Sequence, residues 1–131
     1  MAVFKDTQHL YEVLGDLWNY CIKETELGPK LKEFEVSVKF VITEPQGLMH
    51  VTHDTVLTGD AANKDATLTI ESSGDAAHKF WLKQMTLPVA LATRKMKSKG
   101  PVPKMLRLLP YLKPVFEKYP QYCEKYGLSI E

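Results

Sequence analysis

His50, His53 and Asp54 are the residues whose types and closeness could support acid-base or metal chemistry. On a strand successive side chains alternate, so His50 and His53 point to opposite faces, as do His53 and Asp54, while His50 and Asp54 share a face. That arrangement is poor for metal ligation. It leaves His50 with Asp54 as the one acid-base pair of a small enzyme acting on an acyl or steroid-like substrate. The chain has no His-Glu-x-x-His, no Cys-x-x-Cys and no Gly-rich phosphate loop, so no motif with a known mechanism supports that pair. Isolated histidines are more often polar residues on a solvated strand face than sites. The sequence therefore predicts no catalytic residue, no metal and no cofactor.

A second group is cationic. Residues 76–116 carry nine bases (Lys79, Lys83, Arg94, Lys95, Lys97, Lys99, Lys104, Arg107 and Lys113) and no acid, whereas residues 1–75 are strongly acidic. Lys95, Lys97 and Lys99 alternate with Met96 and Ser98, so a strand here has one wholly cationic face and one that can border an apolar site. With Arg94 and Lys104 flanking it, this is a candidate site for the anionic head of a fatty acid, a phospholipid or coenzyme A. It also suits transient docking on an anionic membrane surface. The competing reading is a set of solvated lysines. Nucleic acid is not predicted as a partner, because no aromatic residue is interleaved between Arg94 and Arg107 to stack on a base.

The third group is apolar: Phe80, Trp81, Met85, Leu87, Val89, Leu91, Met96, Met105, Leu106 and Leu109. Methionine adapts its shape to varied apolar partners, so Met85, Met96 and Met105 suit a deformable ligand cavity. Composition alone favours ordinary close-packed core.

Several elements must position these groups. Leu10, Val13, Leu14, Leu17, Trp18 and Cys21 recur at helical spacing, which predicts an amphipathic helix within residues 1–30, capped by Asp6 or Thr7 and ended by Gly28-Pro29, with Trp18 as plain core. From Glu35 the period becomes two, and Val36, Val38, Phe40 and Ile42 share one face of a half-buried antiparallel strand. A Glu44-Pro45-Gln46-Gly47 turn leads to a second strand over Leu48 to Thr58, and Ala66, Leu68 and Ile70 alternate in a third. Ser72-Ser73-Gly74-Asp75 opens a helix reaching Met85, Pro88 starts a short helical run to Thr93, Lys95 to Lys99 forms a strand, and Val102 to Leu112 supplies a last main helix. Pro110, Pro114 and Pro120 predict short helical pieces in a C-terminal extension over residues 110–131, with Gly127 as a stop. Its aromatic residues, Tyr111, Phe116, Tyr119, Tyr122 and Tyr126, could pack on the domain or dock on a larger enzyme or a second copy.

This order, with its Asp65-Ala66-Thr67-Leu68-Thr69-Ile70 strand, helix, short helical run, Lys-x-Lys-x-x-Gly strand and closing apolar helix, resembles the sterol carrier protein 2 family over about Leu31 to Leu109. The resemblance implies an α+β fold, a mainly antiparallel sheet of four to five strands covered by helices. It also implies an apolar tunnel between sheet and helices that binds fatty acid, fatty acyl-CoA or sterol without chemistry. Phe80, Trp81, Met85, Leu87, Val89, Met96, Met105, Leu106 and Leu109 become the expected lipid-binding residues. The family often has Gly just before the Lys-rich strand, where this chain has Arg94, and commonly ends soon after the closing helix.

At 131 residues, 44% hydrophobic and 25% charged, the chain fits one globular domain, as a monomer or weak homodimer. No apolar run approaches the roughly 18 residues of a membrane span, and Met1 to Glu12 has no signal-peptide core, which makes cytoplasmic the default expectation. Cys21 and Cys123 are too few and too far apart for a disulfide framework and read as reduced thiols.

Overall fold

The computed structural model describes residues 3–130. Helix α1, Thr7–Glu24, starts where Asp6 accepts a hydrogen bond from the His9 amide, and it buries the predicted face from Leu10 to Ile22. Gly28-Pro29 does not end it. Both lie in the first turn of a second helix, α2 (Leu27–Glu33), where the missing proline amide would be unpaired in any case. Gly28 is needed there for closeness, because a Cβ would collide with the Ile22 carbonyl oxygen.

Five strands follow: β1 (Val38–Thr43), β2 (Gly47–Val51), β3 (Val56–Thr58), β4 (Leu68–Ser73) and β5 (Met96–Lys99). Their order is β3-β2-β1-β4-β5. Three of the four pairings are antiparallel, and β1 with β4 is parallel. The expected long second strand, Leu48 to Thr58, is two strands. Thr52 turns the chain back by bonding to the Thr55 carbonyl through its amide, so β3 folds onto β2. The 3-10 turn Gly59–Ala62 then crosses over, and β4 returns beside β1. The predicted alternation in β1 holds: Val38, Phe40 and Ile42 are buried, while Lys39, Val41 and Thr43 face away.

Ser73 caps α3 (Gly74–Trp81) through the Ala76 amide. This helix ends one turn before the expected Met85, at Leu82 and a left-handed Lys83 (φ 64°), leaving Met85 half-buried in the following loop. Thr86 caps α4 (Leu87–Ala92), with Pro88 in its first turn. The predicted closing helix is two pieces, α5 (Val102–Leu108) and a 3-10 turn over Leu109–Leu112 holding Pro110. Helix α6, Lys113–Tyr126, then runs straight past Pro120, against the expectation of shorter pieces. Proline removes one internal hydrogen bond there, and the burial of Val115, Tyr119 and Cys123 on the same helix outweighs that loss. Gly127 ends it in the left-handed conformation, φ 75°.

The helices cover one face of the sheet. Helix α6 is tied to α1 by Lys125 and Tyr126, both bonded to Asp16 at 3.0 and 2.9 Å, and by His9 to the Tyr126 carbonyl. Its aromatic residues are thus engaged within the chain. Among the described residues no helix is long and apolar enough to cross a membrane.

Candidate functional site: an apolar cavity between sheet and helices

The inward faces of β1 and β4 place Val38, Phe40, Leu68 and Ile70 on the floor of a cavity of about 60 Å³. Met96 of β5 extends that floor, because it pairs with Ser72 and so shares the inward side of the sheet. Trp18 of α1 and Phe80 and Trp81 of α3 form one wall. Leu87 of α4 and Met105, Leu108, Leu109 and Leu112 of α5 and the following turn complete the lining. The aromatic wall is built edge to face, with Trp18 and Trp81 centroids 5.5 Å apart and Phe80 and Trp81 4.8 Å apart. Phe116 of α6 backs it, 5.2 Å from Trp81.

No polar group lines this space. Water needs two or more polar partners to be held, so such a cavity stays dry and accepts only apolar matter. Its size is well below the roughly 300–1,000 Å³ of a small-molecule pocket. Helix α4 buries only Ala90 of its six residues, and helix α5 only Met105 and Leu108 of its seven. At its inner edge Lys104 donates to the Phe34 carbonyl at 3.0 Å, and the Arg107 guanidinium lies 4.1 Å from the Phe34 ring centre.

Six of the nine residues expected to bind lipid, Phe80, Trp81, Leu87, Met96, Met105 and Leu109, meet at this cavity. Met85 packs half-buried outside the lining, and Val89 and Leu106 point outward at 53% and 55% exposure. The reason is helical phase. Leu106 follows inward-facing Met105 on a wheel that turns about 100° per residue, and Val89 lies two residues beyond Leu87 on its own helix. Trp18, Val38, Phe40, Leu68, Ile70, Leu108 and Leu112 complete the lining beyond the expected set. Their periodic burial was legible, and only the tertiary fold shows that they share a void.

The cations lie elsewhere. Lys97 and Lys99 pair with Glu71 and Thr69 on the outward side of the sheet, across it from the cavity, and Lys99 lies 3.6 Å from Glu71. Arg94, Lys95 and Lys97 line an open groove of about 380 Å³ on that outer face with Thr43, Ser73 and one acid, Glu71. Among the described residues none of these three bases has an acid within salt-bridge distance. Arg94 stands at φ 60°, a left-handed position that favours glycine.

His50 and Asp54 do not form an acid-base pair. The hairpin break leaves Asp54 on an exposed turn, whereas His50 is 2% exposed beneath the Gly59–Ala62 turn. The expectation that His50 lies on a solvated face is therefore wrong, because the crossover covers that part of the sheet. Its Nε2 lies 3.1 Å from the Asp65 carbonyl, which can only accept, so Nε2 carries the proton and Nδ1 is buried without a partner. Neither residue lines the apolar cavity. Among the described residues no group of three or more His, Cys, Asp or Glu side chains could hold a metal ion.

Burial holds the Cys21 thiol up at about 12 and the Cys123 thiol at about 11. His78 bridges α3 to the tail: Nε2–H donates to the Ser129 carbonyl at 2.6 Å and Nδ1 accepts from the Tyr119 hydroxyl at 2.7 Å. Burial lowers its pKa, against the raising effects of the Ser129 carbonyl and Asp75. Burial likewise raises that of Tyr119.

The mixed, mostly antiparallel sheet with helices enclosing an apolar space on one face is the fold of solved sterol carrier protein 2 structures. No protein-family model and no curated protein matches the sequence. Among solved structures, apo sterol carrier protein 2 from Yarrowia lipolytica is similar with a TM-score of 0.63 and 15% identity, over 88% of this chain and 94% of that one. A sterol carrier protein domain from Helicoverpa armigera gives a TM-score of 0.60 at 13% identity, covering 84% and 87% of the two chains. Sterol carrier protein 2 like 2 from Aedes aegypti gives 0.59 at 13% identity, covering 76% and 92%. At such identities the likeness defines the fold alone.

Proposed function

We propose that this chain acts as one domain that binds an apolar or amphipathic lipid, a fatty acid, fatty acyl-CoA or sterol-like molecule, without catalysing a reaction, and passes it on. The observation that carries this reading is the cavity lined only by apolar side chains. The sterol carrier proteins similar to this chain share the fold that encloses it. Burying a hydrocarbon yields about 0.8 kcal/mol per methylene, roughly 12 kcal/mol for a sixteen-carbon chain before the costs of association. A cavity of about 60 Å³ has to grow several-fold to hold such a chain. Growth proceeds by outward movement of α5, whose attachments are Met105, Leu108 and the contacts with Phe34.

For an amphiphile we assign the head to Arg94 and Lys95. β5 is the edge of the sheet, and only its width separates Met96 in the cavity from these two residues in the outer groove. Lys97 and Lys99 lie further along the same outer face, and Lys104 is occupied by the Phe34 carbonyl. The protein is expected to act in the cytoplasm as a monomer or weak homodimer. Native mass spectrometry of the purified protein against a panel of sterols, fatty acids and acyl-CoAs is the test. Uptake of at least one class is expected, and failure to take up any of them refutes the reading.

A further inference from the structure

The apolar cavity limits where a ligand can carry its polar groups. Its floor, from Val38 to Ile70, and its wall of Trp18, Phe80 and Trp81 present no polar surface to the space. The polar residues Lys39, Thr69 and Glu71 of the two floor strands alternate with the lining and face the other side of the sheet. Ser72 and Ser98, which the register puts on the inward side beside Ile42 and Ile70, do not reach the lining. The bases of the covering segments, Lys104 and Arg107 against Phe34 and Arg94 and Lys95 between α4 and β5, lie outside it as well. When α5 moves outward to admit a chain, floor and aromatic wall stay in place, so the enlarged space keeps those two apolar sides.

A hydroxyl or carboxylate carried into such a space gives up its hydrogen bonds to water and receives none in return. Water cannot accompany it, because a buried water itself needs two or more polar partners. One polar group, at the end of the ligand that stays at the surface, loses nothing. A second one at the far end either enters unpaired or holds its end of the tail in water, and the ligand then forgoes part of its apolar burial.

We propose that the cavity selects lipids with a single polar end and an unsubstituted hydrocarbon remainder, and rejects those with a second polar group on the tail: acids hydroxylated at the last carbon, dicarboxylic acids and sterols hydroxylated on the side chain. The inference rests on the lipid-binding reading, and it narrows the ligand class by the position of polar groups, whether the ligand is a fatty acid, an acyl-CoA or a sterol.

The test is titration calorimetry of the purified protein with hexadecanoate, with the same acid hydroxylated beside the carboxylate or at its last carbon, and with hexadecanedioate; a sterol arm compares cholesterol with a sterol hydroxylated on the side chain. The acid hydroxylated beside its head is expected to bind like hexadecanoate, while the two acids substituted at the far end, and the hydroxylated sterol, bind about tenfold to a hundredfold more weakly than their parents. The two acids with one hydroxyl have the same composition, so their difference reports the position of the hydroxyl and not the overall polarity of the lipid. Equal affinity of those two acids, or of the two sterols, overturns the inference and leaves the lipid-binding reading standing. Failure of both hexadecanoate and cholesterol to bind overturns that reading and the inference with it. Fluorescence gives a second check, because Trp18 and Trp81 are the chain's two tryptophans and both line the cavity. Hexadecanoate brominated at its last carbon is expected to quench them more strongly than the acid brominated beside the carboxylate, since bromine quenches indole on contact. Stronger quenching by bromine at the head would mean that the polar end enters first, which also overturns the inference.

Discussion

Replacing Met105 by Ala tests whether the cavity is both a packing defect and a ligand site. Met105 is 9% exposed and touches the void directly. Large-to-small changes at such positions cost about 2–5 kcal/mol, more where the surroundings cannot collapse. Here α5 is short and buries only two residues, so it can settle inward, and the lower part of that range, about 2–3 kcal/mol, is expected. Unfolding entropy is roughly 2.1 cal/mol/K per residue, so a chain of this length loses about 4 °C in Tm per kcal/mol, or about 7–11 °C for Met105→Ala. A ligand at about 100 times its Kd returns about 2.7 kcal/mol, close to 10 °C. Thermal unfolding followed by circular dichroism, with and without palmitate, is therefore expected to show a large fall without ligand and an increment with ligand at least equal to that of the wild type. Leu106→Ala, one residue along and exposed, is expected to stay within about 0.5 kcal/mol of wild type. A Met105→Ala midpoint indistinguishable from wild type would refute the packing argument. A normal fall with no palmitate increment in either protein would refute the cavity as the fatty-acid site.

His78 is expected to make stability pH-dependent. Its folded-state pKa lies below the ordinary value, so the fold favours neutral imidazole; the contribution is fully present above the unfolded value of about 6.5 and is lost as pH falls below it toward the folded value. Urea unfolding at about pH 7 and pH 5 should show a smaller loss of midpoint on acidification for His78→Gln than for wild type, and equal losses would refute the assignment. Cys21 and Cys123, held up at about 12 and about 11, should remain unmodified by a thiol reagent near pH 8 and react together on unfolding, whereas fast reaction of either in the native protein would contradict their burial. Arg94→Gly should relieve a left-handed φ of 60° that costs about 1–2 kcal/mol. Glycine's own entropy loss of about 0.5–1 kcal/mol offsets part of that gain, so a rise in Tm of about 2 °C is expected, and a fall would show that the Arg94 side chain contributes more than its backbone costs.

Local signals were sufficient for much of this protein. A cap at Asp6 or Thr7, a helix entry at Ser72-Ser73-Gly74-Asp75, the Val38, Phe40 and Ile42 stripe, the Met96 and Lys97 alternation and the Gly127 stop each depend on a few adjacent residues, and the structure has each of them, with Asp6 and Ser73 as the capping side chains. The order of elements carried the fold for the same reason, since a sheet and its covering helices follow from which segments are amphipathic and with what period. What the tertiary structure alone decided is how distant segments meet. Nothing between Leu48 and Thr58 announces that the strand folds back at Thr52, and nothing in β4 declares a parallel partner; those depend on β1 already lying there, and they are what bury His50 and expose Asp54. The separation of Lys97 and Lys99 from the apolar site likewise needs the register of β5 on β4, because alternation says that two faces exist and not which one meets the helices. Core and cavity are the hardest to tell apart in a sequence. Both call for the same apolar residues at the same spacing, and the difference of about 60 Å³ between a filled and an unfilled space is set by side chains from eight elements meeting at once.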